Sequence, residues 1–176
     1  MLIKAIFAGF GGQGVLSMGL SLTQAAMREG KNVTYLPAYG AEVRGGTANC
    51  TVAISDEEIA SPVASLPEFV IAMNQPSMVR FQHQLQSGGM FFLNSSLIDA
   101  EVMRGDIKVV RIPANAIAEQ MSNPRSANMV MLGAFIKNSG LVKLDTLFEV
   151  LEEAFKKKGK LVAVNKEALL AGYNLS

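Results

Sequence analysis

The sequence has a single cysteine, Cys50, among its 176 residues, and this scarcity excludes several kinds of site. One cysteine cannot form a disulfide within the chain, a four-cysteine zinc site or a cysteine-ligated iron–sulfur cluster. Histidine also occurs once, and no group of His, Asp and Glu has the spacing of metal ligands. The Gly-x-Ser-x-Gly nucleophile elbow is missing as well. We therefore expect no catalytic residue in this chain and read Cys50 as a buried strand residue.

Charged residues are scarce too, at 18%, and 16 Lys and Arg nearly balance 15 Asp and Glu. Nucleic acid and anionic membranes both require a basic face, so neither is expected as the main partner. No run approaches the roughly 18 apolar residues of a membrane span, and the first residues lack the pattern of a signal peptide. We expect a cytoplasmic protein. A surface so poor in charge hints that another protein covers part of it.

The length fits one domain, residues 1–176, in which short apolar strands alternate with helical segments. This alternation predicts an α/β fold, a three-layer α/β/α sandwich of Rossmann-like type. The predicted strands are Leu2–Ala8, Asn32–Leu36, Ala48–Ile54, Phe69–Met73, Met90–Leu93 and Lys108–Ile112. The predicted helices run from Gly14 to a stop at Gly30, from Pro76 to Gln86, over Ala114–Met121, Ser126–Lys137 and Leu144–Phe155, and over Lys166–Ala171 with Asn165 as its cap.

The segment Pro37–Thr47 joins the second and third predicted strands. It is rich in glycine and too short for the helical crossover that usually connects parallel strands. We therefore expect at least one antiparallel pairing in a mostly parallel, mixed sheet.

The loop Gly9–Gly14 reads Gly-Phe-Gly-Gly-Gln-Gly, which is a G-x-G-x-x-G pattern between the first strand and the first helix. Backbone N–H groups and the positive end of the helix can bind an anion there. An NAD site would also need an acidic residue at the end of the second strand, where the sequence has Thr34–Pro37. No Gly-Lys-Ser/Thr occurs, which excludes a P-loop. Phosphate binding and a purely structural strand–helix turn both remain open.

Polar residues mark three further loops. In Pro37–Thr47, Tyr39, Glu42 and Arg44 stand among glycines, either as a binding loop or with an ordinary surface ion pair worth under about 1 kcal/mol. Asn74 and Asn94 follow predicted strands, at the sheet edge where parallel sheets bind ligands. The nearby serines, Ser77, Ser95 and Ser96, are better explained as helix N-caps.

Taken in order, these segments resemble the gamma subunit (domain III) of 2-oxoacid:ferredoxin oxidoreductases, the pyruvate/ketoisovalerate oxidoreductase gamma family. The resemblance runs from Ile3 to Gly172 and looks greatest for the 2-oxoglutarate branch. The segments that carry it are Gly9–Gly14, Tyr39–Gly46, Met73–Ser77, Gly88–Gly89, Asn94–Ser96, Ile112–Ala114 and Ala127–Gly133.

The resemblance implies a subunit of an enzyme that converts a 2-oxoacid and coenzyme A (CoA) into acyl-CoA, CO₂ and reduced ferredoxin. Thiamine diphosphate, Mg²⁺ and iron–sulfur clusters would lie on alpha, beta and ferredoxin-like delta subunits, which agrees with the single cysteine. We expect this chain to bind no cofactor alone but to contact CoA, with a phosphate on the Gly11–Gly14 turn and Arg44 as a cation. Tyr39–Gly46 would face a partner subunit.

The candidate cofactor-binding residues are Gly11, Gly12, Gln13, Gly14, Tyr39, Glu42, Arg44, Gly45, Gly46, Asn74, Gln75 and Asn94. Two other functions stay open. One is a stand-alone Rossmann-like nucleotide-binding protein. The other is a scaffold or regulatory protein that kept the fold without the complex.

Overall fold

The computed structural model describes residues 1–40 and 46–175, and six strands in this part form one sheet. The order across the sheet is β2-β3-β1-β4-β5-β6, and β1, β4, β5 and β6 are parallel neighbours. Strand β3 is antiparallel to both β1 and β2, which confirms the expected mixed sheet. The strands are β1 (Leu2–Phe10), β2 (Asn32–Tyr39), β3 (Thr47–Ser55), β4 (Phe69–Ala72), β5 (Met90–Asn94) and β6 (Lys108–Ile112).

Helices cover both faces of this sheet, as the three-layer prediction requires. On one face lie α1, α3 and α4, with α5 packed on α1 and α6 packed on α4. The other face carries α2 and loops, as far as residues 1–40 and 46–175 show. The helices are α1 (Val15–Arg28), α2 (Gln75–Phe81), α3 (Ala114–Gln120), α4 (Ala127–Ser139), α5 (Leu144–Ala154) and α6 (Gly159–Tyr173). None of them is long and apolar enough to cross a membrane, within residues 1–40 and 46–175.

The core on the thicker face centres on Phe135 of α4, which is fully buried. Its ring meets the rings of Phe7, Phe69 and Phe92 edge-on, with centroids 5.3 to 5.6 Å apart. These three partners come from β1, β4 and β5, so one helix side chain ties together the strands whose ends carry the polar loops. Edge-to-face aromatic contacts of this kind favour a single arrangement of helix on sheet.

Two predicted helix boundaries are wrong. Helix α6 begins at Gly159, so Asn165 lies inside it and caps nothing. The β-branched residues near its start weaken the local helix signal, and packing on α4 overrides that preference. Helix α2 ends at Phe81, well before Gln86, because the Arg104 guanidinium takes up the carbonyl oxygens of Gln82 and Leu85.

The predicted capping residues are partly wrong as well. Asn74, not Ser77, caps α2: its Oδ1 accepts a hydrogen bond of 2.9 Å from the Ser77 backbone N–H. Ser96 does act as a cap, but from a distance along the chain. Its hydroxyl accepts from the backbone N–H of Ala116 in the first turn of α3, at 3.1 Å.

Cys50 is fully buried in β3, as predicted, under helix α1. The helix approaches closely at Gly19, where a Cβ atom would lie 2.3 Å from the Cys50 sulfur. Burial raises the pKa of the Cys50 thiol from its ordinary value of 9.0 to about 12. The thiol is therefore held in its neutral form in the folded chain.

This burial predicts a loss of stability in alkali. Since the pKa of Cys50 is raised in the folded chain, its contribution to the free energy of unfolding is fully present below about pH 9. This contribution is lost as the pH rises toward 12. By pH 10 the free energy of unfolding should fall by about 1.4 kcal/mol on account of this group. Denaturant unfolding between pH 7 and 10 measures it, and the Cys50→Ala variant should show a shallower decline. Equal declines in both proteins would contradict the assignment.

Candidate functional site

At the carboxyl ends of β1 and β4 the chain continues to opposite faces of the sheet. These strands are parallel neighbours, yet α1 leaves β1 toward the thicker face and α2 leaves β4 toward the other. In open α/β sheets the crevice at such a point is the usual ligand position. The loops after both strands are therefore the natural place to look for a site.

The Gly11–Gly14 turn adopts a backbone shape that requires glycine. Gly12 has φ +96° and Gly14 has φ +74°, both in the left-handed region that disfavours other residues. A Cβ atom on Gly14 would also lie 2.4 Å from Nδ2 of Asn128 at the start of α4. The backbone N–H of Gly11 donates to the carbonyl oxygen of Gly46 at 2.9 Å, which fastens the turn to the chain entering β3.

The crevice itself is filled by two amide side chains. Oε1 of Gln13 accepts from the backbone N–H of Phe10 at 2.7 Å and from Nδ2 of Asn74 at 2.8 Å. Nε2 of Gln13 donates to the carbonyl oxygen of Met73 at 3.3 Å. These bonds bridge the loops after β1 and β4. The amides of Gln13 and Asn74 therefore occupy the space between those two strand ends.

Asn94 continues this amide network inside the protein. It is fully buried, and its Nδ2 donates to the Met73 carbonyl at 3.3 Å and to Oδ1 of Asn115 at 2.7 Å. Gln75, in contrast, is exposed at the first position of α2. In this structure Gln13 bonds Asn74, and both Gln13 and Asn94 donate to the Met73 carbonyl. The role of these three residues in cofactor binding stays a prediction.

An open groove lies on the other side of the glycine turn, toward β2. Its volume is about 420 Å³, and Tyr39 at the end of β2 stands beside it with 71% of its surface exposed. The structure thus brings Tyr39 and the glycine turn together, although they are 25 residues or more apart in sequence. The lining residues are Phe10, Gly11, Gly12, Gly14, Val15, Leu16, Ser17, Tyr39 and Ala48.

The groove is lined by the first turn of α1, whose backbone N–H groups have no acceptor within the helix itself. The first hydrogen bond of the helix runs from the N–H of Met18 to the carbonyl of Gly14, at 3.1 Å. The N–H groups of Val15, Leu16 and Ser17 therefore precede the helical ladder. Sequence reasoning missed Leu16 and Ser17, although any glycine turn that opens a helix places the next three residues at its positive end.

The positive end of a second helix reaches the same corner. Asn128, in the first turn of α4, donates through Nδ2 to the Gly14 carbonyl at 3.4 Å. Helices α1 and α4 have 14 and 13 residues, so both have a full macrodipole. The end of α1 lines the groove and favours a negatively charged ligand there, whereas α4 reaches only the Gly14 side of the turn.

Three of the candidate residues, Glu42, Arg44 and Gly45, lie outside the described residues. Their predicted roles therefore stay predictions. In the described ranges, residues 1–40 and 46–175, no group of three or more His, Cys, Asp or Glu side chains could hold a metal ion.

A family model settles the relationship of the chain. The model for pyruvate ferredoxin/flavodoxin oxidoreductase matches residues 4–175. The chain belongs to the pyruvate ferredoxin/flavodoxin oxidoreductase family. Among curated members, the ketoisovalerate oxidoreductase subunit VorA of Methanothermobacter thermautotrophicus is 41% identical over 172 residues, which make up 97% of this chain and 35% of VorA. The chain thus spans about a third of this relative.

Solved structures of the pyruvate ferredoxin/flavodoxin oxidoreductase family share the fold. The gamma subunit of a keto/oxoacid ferredoxin oxidoreductase from Geobacter sulfurreducens aligns with a TM-score of 0.80 and 25% identity, over 97% of this chain and 96% of its own. The 2-oxoglutarate:ferredoxin oxidoreductase of Magnetococcus marinus, solved with 2-oxoglutarate, coenzyme A and succinyl-CoA bound, aligns with a TM-score of 0.89 and 27% identity, over 99% and 32%.

The family resemblance is confirmed, but the similarities do not single out the 2-oxoglutarate branch. VorA is 41% identical to this chain, whereas the 2-oxoglutarate synthase subunit KorC of Methanothermobacter marburgensis is 35% identical over 156 residues, which make up 85% of this chain and 82% of KorC. The expected preference for the 2-oxoglutarate branch is therefore not supported.

Proposed function

We propose that the chain is the gamma subunit of a 2-oxoacid:ferredoxin oxidoreductase. In that role it supports the oxidative decarboxylation of a 2-oxoacid with CoA, which yields acyl-CoA, CO₂ and reduced ferredoxin. The observation that supports this best is the family match over nearly the whole chain, together with an alignment to almost the full length of the G. sulfurreducens gamma subunit. The substrate belongs to the ketoisovalerate, pyruvate or 2-oxoglutarate group.

The residues of this chain do not suit the redox cofactors of such an enzyme. An iron–sulfur cluster needs several thiolates, and Cys50 is buried with its pKa raised to about 12. Thiamine diphosphate, Mg²⁺ and the clusters therefore belong to partner subunits in this proposal: alpha, beta and a ferredoxin-like delta chain.

The groove between the glycine turn and Tyr39 suits CoA, which carries several phosphates. The N–H groups and the positive end at the start of α1 favour an anion beside Gly12. The exposed ring of Tyr39 offers an apolar surface for the remainder of the molecule. The M. marinus relative was solved with CoA bound, which supports CoA as a ligand of such an enzyme. We propose that a CoA phosphate lies on the Gly11–Gly14 turn and that Tyr39–Gly46 borders a partner subunit.

Affinity purification tests the proposal. From its source cells, the tagged chain should co-purify with partners that carry thiamine diphosphate and iron–sulfur clusters. The complex should reduce ferredoxin only when a 2-oxoacid and CoA are both present. A screen of ketoisovalerate, pyruvate and 2-oxoglutarate then identifies the substrate.

Two results would contradict the proposal. A lone chain that binds a nucleotide without partners would favour the stand-alone nucleotide-binding protein. A complex that loses no activity when this chain is omitted would favour a scaffold. Slower amide exchange of residues 39–46 in the complex than in the free chain is the expected sign of a subunit contact.

A further inference from the structure

We infer that Gln13 is a positioning residue. Its carboxamide holds the Gly11–Gly14 turn in the shape that keeps the N–H groups of the groove directed at a ligand, and it does so by fastening the turn to the end of β4. The inference rests on the proposed function, in which the groove receives a CoA phosphate.

The carboxamide of Gln13 forms three hydrogen bonds with other groups of the protein. Oε1 accepts two hydrogen bonds, from the Phe10 N–H at 2.7 Å and from Asn74 Nδ2 at 2.8 Å. Nε2 donates to the Met73 carbonyl at 3.3 Å. The backbone N–H of Gln13 donates back to the Phe10 carbonyl at 3.1 Å, so residues 10 and 13 close the turn reciprocally. Such a doubly closed turn resists opening more than a single bond does.

The fold leaves room for this side chain at Gly9. A Cβ atom on Gly9 would lie 2.7 Å from Oε1 of Gln13 and 2.9 Å from a methyl group of Val15. Gly9 has no left-handed φ angle, so its lack of a side chain is explained by this close approach. The lack of a side chain at Gly9 therefore leaves room for Gln13, together with Val15 and Met73.

The turn depends on such a fastening because it is made of glycine. Three of its four residues are glycines, which have the greatest backbone freedom, and no described residue lies within 4 Å of a Cβ atom placed on Gly12. Besides the Phe10–Gln13 bonds, contacts with other segments hold its shape: Gly11 with Gly46, Gly14 with Asn128, and Gln13 with the β4 end. A site ordered before binding loses less entropy when the ligand arrives.

The fastening also reaches the neighbouring strand ends. Asn74, which bonds Gln13, caps α2, and the Met73 carbonyl that accepts from Gln13 also accepts from the buried Asn94. The turn is thus tied to β4, α2 and β5 through one side chain. This explains why these amides point inward although they lie at the ligand-binding edge of the sheet.

The test replaces Gln13 by methionine, which has similar length but no hydrogen-bonding amide, in the chain assembled with its partner subunits. The apparent KM for CoA should rise about three- to tenfold, because re-forming the shape of the turn on binding should cost about as much as one ordinary hydrogen bond. The kcat at saturating CoA should stay within about twofold. Amide exchange of residues 10–17 should become faster even without CoA.

Gln13→Glu supplies the conservative variant. It keeps the acceptor toward Phe10 and Asn74, so exchange at Phe10 should stay slow. The Gln82→Met variant is the matched control, since the Gln82 side chain accepts from the Met103 N–H at 3.2 Å on the opposite face of the sheet. It should leave the KM for CoA at the wild-type value.

The outcomes separate this inference from the proposed function. If Gly12→Asp raises the KM for CoA while Gln13→Met leaves both KM and exchange unchanged, the groove stands and the role of Gln13 is wrong. If neither variant changes the KM, the groove does not bind CoA. The proposed CoA placement and the role of Gln13 are then both wrong. If Gln13→Met and Gln82→Met changed the KM for CoA and the amide exchange equally, Gln13 would contribute only to general stability. That result would overturn its positioning role.

Discussion

Gly12→Asp should raise the apparent KM for CoA of the assembled enzyme at least tenfold, the largest functional effect we expect from a single substitution in this chain. Gly12 lines the groove, and a Cβ atom added there meets no atom of residues 1–40 and 46–175 within 4 Å. The aspartate therefore projects into open space and puts a negative charge where a phosphate is proposed to lie. At a distance of a few ångströms this repulsion amounts to more than about 1.4 kcal/mol, which is tenfold in affinity.

The backbone adds a second penalty to the same substitution. Gly12 has φ +96°, and a residue with a side chain costs roughly 1–2 kcal/mol in the left-handed region. The turn is expected to shift, and its N–H groups would then point away from the ligand. Steady-state kinetics at varied CoA, with the 2-oxoacid and ferredoxin saturating, measure the combined effect.

Gly30→Asp is the matched control for this experiment. Gly30 follows α1 at its opposite end, has φ +77° and likewise has no atom within 4 Å of a Cβ position. It reproduces the strain and the charge away from the groove, so the KM for CoA should stay at the wild-type value. A Gly12→Asp enzyme with unchanged KM and turnover would remove the glycine turn from CoA binding.

Local patterns were sufficient to predict most of the sheet. The alternation of Cys50, Val52 and Ile54 in β3 marks one buried face, and these three side chains do pack under α1. The short glycine-rich link after β2 correctly predicted an antiparallel neighbour, because chain length alone rules out a helical crossover. The end and the cap of α2 were predicted wrongly, and so was the start of α6, where contact with α4 outweighs local preference.

The site was predicted in part. Both glycine-rich loops were identified, and Gly12 and Tyr39 do line one groove. The amides were expected at the same edge, and they lie there, but the pattern could not reveal that Gln13 and Asn74 bond each other. Nor could it place Asn128, 114 residues after Gly14, against the turn. Those contacts depend on how helices pack on the sheet, which no local pattern contains.

The glycines at the crossing of α4 and α6 predict the largest loss of stability. A Cβ atom on Gly172 would lie 1.8 Å from the carbonyl oxygen of Val130, and one on Gly133 would lie 2.0 Å from that of Leu169. Both clashes involve backbone atoms, which cannot rotate away as a side chain can. The two helices approach backbone to backbone, and there is no room for even a methyl group.

Gly172→Ala should therefore lower the free energy of unfolding of the chain by about 3 kcal/mol or more. Alanine favours a helix over glycine by about 1 kcal/mol, but this gain is smaller than the cost of pushing α6 away from α4. For a chain of this size the loss corresponds to a fall in Tm of roughly 6–12 °C. Thermal and denaturant unfolding of the full chain measure it, and Gly133→Ala should behave alike.

The control is Gly159→Ala, at the first position of the same helix. No atom lies within 4 Å of a Cβ on Gly159, so alanine there should be neutral or stabilising by up to about 1 kcal/mol. The contrast between two identical substitutions in one helix isolates the crossing from helix propensity. If Gly172→Ala proved as stable as Gly159→Ala, α4 and α6 would have to lie further apart than their glycines now allow.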